Sequence, residues 1–243
     1  MTRFTLLGVP IDPVTEAEAV DWVARALGEG RPRVVISVNP ERIMHAQRDP
    51  AFAAVLAGAD LALADGAGVL WAARRLGHPL AERVPGVDFV RALAVRGAAE
   101  GWRFFFLGGA PGVAEAAGRA LSASYPGFIL AGTYAGSPDP AGDPTATAAV
   151  RSSGAQILFL AYGASAEEAW LARNLVRSGA SVGMGVGGAF DFISGRVRRA
   201  PPWMRQRGLE WLHRLSREPW RWRRMLALPR FVIRVMREGK TRP

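Results

Sequence analysis

The residues best placed to do chemistry stand in Leu61-Ala-Leu-Ala-Asp65-Gly66-Ala-Gly68. A short apolar run ends in an acid, and two glycines follow at once. This spacing predicts a buried strand, a tight turn and a helix beginning near Val69. Asp65 then stands beyond the carboxyl end of a strand, where open α/β sheets bind their ligands. The glycines leave the turn without bulky side chains, so a ligand can come close to the backbone. An aspartate just before a helix can equally serve as its cap, and the spacing alone leaves both roles open.

Similar polar groups recur at other strand ends. The β-branched run 34–38 closes in Ser37-Val-Asn39-Pro40. Pro40 suits the first position of a helix, and Asn39 either caps that helix or reaches a ligand. Arg83 lies in the connection Glu82-Arg83-Val-Pro85-Gly86-Val-Asp88, as a solvated residue or as an anion ligand. Residues 103–107 read as a strand followed by Gly108-Gly109-Ala-Pro111-Gly112. Strand, glycine turn and helix together can cradle a phosphate on backbone N–H groups, although the spacing is not that of G-x-G-x-x-G. Residues 156–161 end in Gly163-Ala164-Ser165-Ala166-Glu167-Glu168, and residues 181–186 open onto Gly187-Gly188-Ala-Phe-Asp191. His45, His78 and His213 are not spaced as ligands and there is no cysteine, so a metal site has little support.

These positions require strands that alternate with helices. Residues 4–8 read as a first strand and 15–27 as an amphipathic helix, with Ala17, Val20, Trp22, Val23 and Leu27 at roughly helical spacing. Short helices over 41–47 and from Asp49 lead to the Asp65 strand. Further helices span 69–76 and 87–99, and a strand covers 128–132. The pattern predicts an α/β, mostly parallel, Rossmann-like sheet with helices on both faces and right-handed crossovers.

The 243 residues suffice for one large domain with an appendage. The formal charge of +10 is unevenly placed: from Ser194 onward there are 15 Arg or Lys against 3 Asp or Glu. Residues 1–194 are therefore read as the α/β body and 195–243 as a basic helical appendage, with helices over 203–216, 219–227 and 229–237. Trp203, Trp211, Trp220 and Trp222 interleave with its arginines. Such helices suit an anionic membrane interface, a packed face with solvated arginines, or nucleic acid. Some of the arginines could instead fold over the crevice and clamp a diphosphate. No stretch reaches the ~20 apolar residues of a membrane span, and the N-terminus lacks a signal-peptide core.

The chain resembles the WecG/TagA/CpsF glycosyltransferases. The likeness rests on Ser37-Val-Asn39-Pro40-Glu41, Ala64-Asp65-Gly66-Ala-Gly68, Glu82-Arg83-Val-Pro-Gly86-Val-Asp88 and Phe106-Leu-Gly108-Gly109-Ala-Pro111. It continues through Gly185-Val-Gly187-Gly188-Ala-Phe-Asp191, Gly195, Arg199-Ala200-Pro201, Gly208-Leu-Glu210-Trp211-Leu-His-Arg214-Leu and Glu218-Pro219-Trp-Arg221. The resemblance implies an inverting, metal-independent transfer of an N-acetylmannosamine-type sugar from a UDP-sugar. The implied acceptor is a polyprenyl-diphosphate-linked N-acetylglucosamine at the inner face of the cytoplasmic membrane, in surface polysaccharide or teichoic acid synthesis. It implies no cofactor and no nucleic acid, and leaves a homo-oligomer open. Asp65 corresponds to the family's base, Ser37, Asn39 and Arg83 to its pocket, and Arg214, Arg221 and Arg224 to its closing appendage. Gly108, Gly109, Gly163, Glu167, Glu168, Gly185, Gly187 and Asp191 are expected as further substrate contacts.

One segment departs from the family's Gly-x-Pro-Lys-Gln-Glu, reading Gly163-Ala164-Ser165-Ala166-Glu167-Glu168 here. An ionised Glu167 only accepts hydrogen bonds, and beside a diphosphate it would repel. Two other classes fit parts of the chain: a nucleotide-dependent oxidoreductase, which lacks its glycine fingerprint, and a nucleic-acid-binding protein, which leaves the strand-end polar residues without purpose.

Overall fold

The computed structural model describes residues 2–163 and 165–241. Ala164 and the side chain of Arg221 lie outside what is described. The chain begins with a hairpin of β1 (Phe4–Leu6) and β2 (Val9–Ile11), turned at Leu7 and Gly8, both at positive φ. Then come α1 (Glu16–Leu27), β3 (Arg33–Val38), α2 (Pro40–Ala46), α3 (Pro50–Ala57), β4 (Leu61–Ala64) and α4 (Ala67–Arg75). The middle of the chain gives α5 (Gly86–Glu100), β5 (Arg103–Gly108), α6 (Val113–Ser124), β6 (Ile129–Tyr134) and α7 (Asp143–Ser153). The body closes with β7 (Ile157–Ala161), α8 (Ala166–Ser178), β8 (Val182–Gly185) and α9 (Ala189–Ile193).

The main sheet has six strands in the order β4-β3-β8-β7-β5-β6, all parallel. Parallel strands covered on both faces must be apolar on both sides, and Arg103-Phe-Phe-Phe-Leu107 shows how. Phe104 and Phe106 enter one core with helices α1, α5, α6 and α9, while Phe105 and Leu107 enter another with α7 and α8. A third cluster joins α2, α3, α4 and the hairpin. The α/β architecture with helices on both faces is thus as the sequence predicts.

The hairpin is a difference. Residues 4–8 do not join the main sheet but pair with β2, a strand that Pro10 conceals in the sequence. Two helix starts are fixed by local caps. Thr15 and Glu18 form a reciprocal capping box on α1, and Asn39 with Pro40 opens α2.

Beyond Gly195 the chain forms α10 (Pro202–Gln206), α11 (Glu210–Arg217), a single 3-10 turn (Pro219–Arg221), α12 (Trp222–Met225) and α13 (Ala227–Thr241). The helix expected over 203–216 is broken at Gly208, which adopts φ +71°; a Cβ there would lie 2.4 Å from that of Ala67. Only glycine allows this segment to rest against the start of α4. Helix α13 drives Phe231 and Val235 into the cluster beneath α2 and α4. No helix among the described residues is long and apolar enough to cross a membrane.

Phe231 is 1% exposed. Phe231→Ala should therefore destabilise the protein by about 3–5 kcal/mol in urea unfolding, as for other buried aromatic truncations. A loss under about 1 kcal/mol would mean that α13 is not part of the core.

Candidate active site

A cleft of about 1480 Å³ opens beyond the carboxyl ends of β3, β4, β5, β7 and β8, and α11 to α13 roof it. The chain leaves β5 toward β6 and leaves β7 in the opposite direction toward β8. That reversal is the place where open α/β sheets form a crevice.

Asp65 stands just past β4 on the cleft wall. It does not cap α4: Gly66 occupies the cap position, at φ 97°, with no side-chain bond. The Asp65 carboxylate instead accepts from Ser37 Oγ at 3.0 Å across the β3–β4 pair. Burial pushes its pKa upward, and the nearby Glu210 carboxylate adds to this. The Ser37 hydroxyl, Arg83 and Arg42 act in the opposite sense, yet the net shift is upward. A carboxylate made more basic in this way is a better proton acceptor near neutral pH.

Asn39 does cap, with Oδ1 accepting from Arg42 N at 3.0 Å, and it also faces the cleft. Arg83 is not a free loop residue. It donates to the Arg205 carbonyl at 2.9 Å and lies 3.6 Å from Glu210. Glu210 in turn pairs with Arg199 at 2.7 Å, and Arg199 forks onto both oxygens of Asp88. This chain of charges ties α11 to α5 and to the Arg83 connection. Burial alone would raise the Asp88 pKa, but Arg199, with help from Arg205 and Arg83, holds it below the usual value.

The roof and rim carry further arginines. Arg214 lies 5.0 Å over the Phe192 ring and donates to Glu218 at 3.1 Å. Arg224 meets Glu41 at 2.7 Å, and Arg196 lies 3.6 Å from Asp191. Arg198 and Arg217 also line the cleft. Asp65, Ser37, Asn39, Arg83, Gly109, Gly163, Gly185, Gly187, Asp191, Arg214 and Arg224 therefore converge on one cavity.

Three expected contacts are placed elsewhere. Gly108 is turned between strands: a Cβ there would lie 2.9 Å from both Ala161 C and Tyr162 Cδ1. Glu167 and Glu168 are fully buried and take no part in the cleft wall. Glu167 is paired to Arg42, so its charge does not confront a ligand as the sequence suggested. Its pKa is pushed up to about 7, chiefly by burial and also by Glu168, against Arg42 and the Gly163 and Gly187 amides.

Three amides of the glycine turns are not open to a phosphate. Gly109 N–H donates to the Ala161 carbonyl, and Gly163 and Gly187 N–H both donate to Glu167 Oε1, each at 2.9 Å. The side chains available to an anion in the cleft are the arginines. Sequence reasoning did not single out Arg42, Asp88 or Glu210 as site residues. Their partners lie 111 to 125 positions away in two of the three cases, which no local pattern reveals. Among the described residues no group of three or more His, Cys, Asp or Glu could hold a metal ion.

The sequence matches the profile of the Glycosyl transferase WecG/TagA/CpsF family over residues 4–243. A Bacillus spizizenii protein is 31% identical over 217 residues, 88% of this chain and 82% of its own length. A Bacillus subtilis protein is 32% identical over 210 residues, 86% and 81% of the two chains. Both are named N-acetylglucosaminyldiphosphoundecaprenol N-acetyl-beta-D-mannosaminyltransferase.

The depressed pKa of Asp88 has a consequence for the roof. A carboxylate with a lowered folded-state pKa stabilises above its unfolded value, about 3.9, and loses that contribution as pH falls through the folded value. Proteolysis within residues 195–225 should therefore accelerate below about pH 4. Asp88→Asn should weaken the protein by about 1 kcal/mol or less at pH 7 and flatten that acid dependence. An unchanged dependence in Asp88→Asn would mean that the Asp88–Arg199 pair does not hold the roof.

Proposed function

The chain belongs to the WecG/TagA/CpsF glycosyltransferase family, and from that premise we propose the reaction that its cleft performs. The protein is a glycosyltransferase. It moves N-acetylmannosamine from a UDP-sugar to an N-acetylglucosamine carried on a polyprenyl diphosphate. The observation that carries the mechanism is Asp65, a carboxylate of raised pKa held by Ser37 in an arginine-lined cleft.

Asp65 accepts the proton of the acceptor hydroxyl. The oxygen then bonds to the anomeric carbon on the face opposite the nucleotide, and the bond from that carbon to the diphosphate breaks. UDP leaves with the electron pair. From an α-linked donor this displacement gives a β product, which agrees with the "beta" in the names of the two relatives. The charge developing on the diphosphate needs cations within the cavity. Arg83, Arg214 and Arg224, with Arg198 and Arg217 at the rim, supply them. With those groups present the reaction proceeds without a metal.

The tail serves a second purpose in this reading. Trp203, Trp220, Trp222 and Ile233 are exposed, Trp220 by 72%, and arginines flank them. Aromatic and aliphatic groups beside cations suit the interface of an anionic bilayer. A protein lying on the inner face of the cytoplasmic membrane by this surface would meet its acceptor there, at the roof of its own cleft. Neither the oxidoreductase nor the nucleic-acid reading has comparable support from the relatives.

Asp65→Asn should lower turnover by about 10²–10⁴-fold. UDP should still raise the thermal midpoint of that variant without added metal, since donor binding does not need the base. Full activity in Asp65→Asn would take Asp65 out of the role. An absence of any UDP-dependent shift in both proteins, with and without anionic vesicles, would overturn the donor class.

A further inference from the structure

The floor of the cleft is built on an ion cluster to which the mechanism above gives no task. Arg42, in the first turn of α2, is 6% exposed, and Glu167 and Glu168 are at 0% and 1%. Arg42 Nη2 lies 2.9 Å from Glu167 Oε2 and 2.8 Å from Glu168 Oε1. Its Nη1 donates to the backbone carbonyl of Ser37 at 2.5 Å. The hydroxyl of that same serine donates to Asp65 at 3.0 Å. The other oxygen of Glu167 accepts from Gly163 N and Gly187 N. One guanidinium, directly at β3 and through Glu167 beyond β7 and β8, thus links the ends of three neighbouring strands.

Stability does not account for this arrangement. A buried ion pair is on balance no better than apolar side chains of the same volume, because the charges must be stripped of water. What an arginine provides, and an apolar residue cannot, is a rigid fork with several donors at fixed angles. Here the fork joins two carboxylates on α8 to the carbonyl behind the residue that orients Asp65. The neighbouring strand leaves room for it: at Gly185 a Cβ would lie 2.6 Å from Glu167 Oε2.

We propose that Arg42 is a positioning residue for glycosyl transfer, which fixes Ser37 and through it the Asp65 carboxylate, with Glu167 and Glu168 holding the guanidinium in place. The proposal rests on the reading of Asp65 as the base. Asp65 is faced by Ser37 from β3, Arg42 from α2, Arg83 from the connection between α4 and α5, and Glu210 from α11. The Ser37 hydroxyl and the two arginines favour its ionised form, and Glu210 opposes it.

Two variants of the full-length protein test this. Arg42→Lys keeps the charge and loses the fork, since the contact to Ser37 and those to the glutamates are made by two different nitrogens of the guanidinium and lysine has one. Arg42→Gln combined with Glu167→Gln removes one charge of each sign, which limits the penalty of leaving a buried carboxylate alone. Val150→Ala, a core truncation among α7 and α8, is the control for lowered stability alone. The carboxyl titration of Asp65 is followed by carbon NMR, its signal assigned by its loss in Asp65→Asn. Turnover is followed against pH with UDP-N-acetylmannosamine and a polyprenyl-diphosphate N-acetylglucosamine.

Loss of a hydrogen bond and a cation raises a carboxylate pKa. The Asp65 titration should move upward in both variants, in Arg42→Lys through the loosened Ser37 hydrogen bond alone and by roughly one unit in the double variant. The acid limb of turnover should move with it, and kcat should fall by about 10- to 100-fold while KM for the donor changes little. Val150→Ala should lower the thermal midpoint and leave the titration in place. An Asp65 titration unmoved in both Arg42 variants overturns the proposal whatever the activity does. A titration that moves while the acid limb stays put overturns Asp65 as the base, and the positioning role falls with it.

Discussion

The carboxyl edge of a parallel sheet is a row of backbone groups that have run out of partners. Each strand contributes N–H and C=O groups beyond the last ladder bond, and when these are buried they must be satisfied. In this protein the cleft lies on that edge, so its shape depends on how they are satisfied. Arg42 takes the Ser37 carbonyl, Glu167 takes the amides of Gly163 and Gly187, and the Ala161 carbonyl takes the amide of Gly109. The floor is thereby rigid before any ligand arrives. Those three amides are committed to the protein, and the arginine side chains supply the positive charge that meets an anion.

The roof obeys a different logic. It is fastened by one apolar anchor and a set of ion pairs. Phe231 and Val235 of α13 fill the cluster beside α2 and α4, and burial of such groups is the dominant favourable term in packing. The segment nearest Asp65 has no such anchor: α10 and α11 bury no residue fully. They are held by Gly208 against Ala67, by Arg199 between Asp88 and Glu210, and by Arg83 between Glu210 and the Arg205 carbonyl. Partly exposed ion pairs contribute little each and form and break readily. The part of the roof over the base is thus the part least firmly fixed, as a site that admits a lipid-borne substrate requires.

Much of this was legible in the sequence because the signals were local. The apolar run before Asp65, the β-branched run before Asn39 and the phenylalanine run before Gly108 each read as a strand with a polar or glycine end. The parallel sheet follows from their alternation with helices. Pro10 hid β2, since proline is disfavoured within strands, and the break at Gly208 answers a contact with Ala67 that only tertiary structure shows. Glu167 misled for a related reason. A glutamate at a strand end reads as a cleft residue until its partner Arg42 is found, and the two are 125 positions apart. Asp88, Arg199 and Glu210 were visible as parts of motifs, but their joining into one network was not.

The cleft arginines enter the proposed reaction already paired. Arg83 has Glu210, Arg214 has Glu218, Arg224 has Glu41 and Arg196 has Asp191. A diphosphate does not therefore meet bare cations; it competes with carboxylates for them. A pair such as Arg224–Glu41, with half of the arginine side chain exposed, is worth at most about 1 kcal/mol, so its exchange for a bidentate phosphate contact is favourable. Each exchange also releases an acid. Glu210, once Arg83 turns to the diphosphate, is left with Arg199 alone, and its less compensated charge near Asp65 would then favour the protonated form of the base. Donor binding and the proton affinity of Asp65 are coupled in this way through one side chain of the roof. The base gains affinity for a proton when the donor is in place, the point in the cycle at which a proton has to be taken.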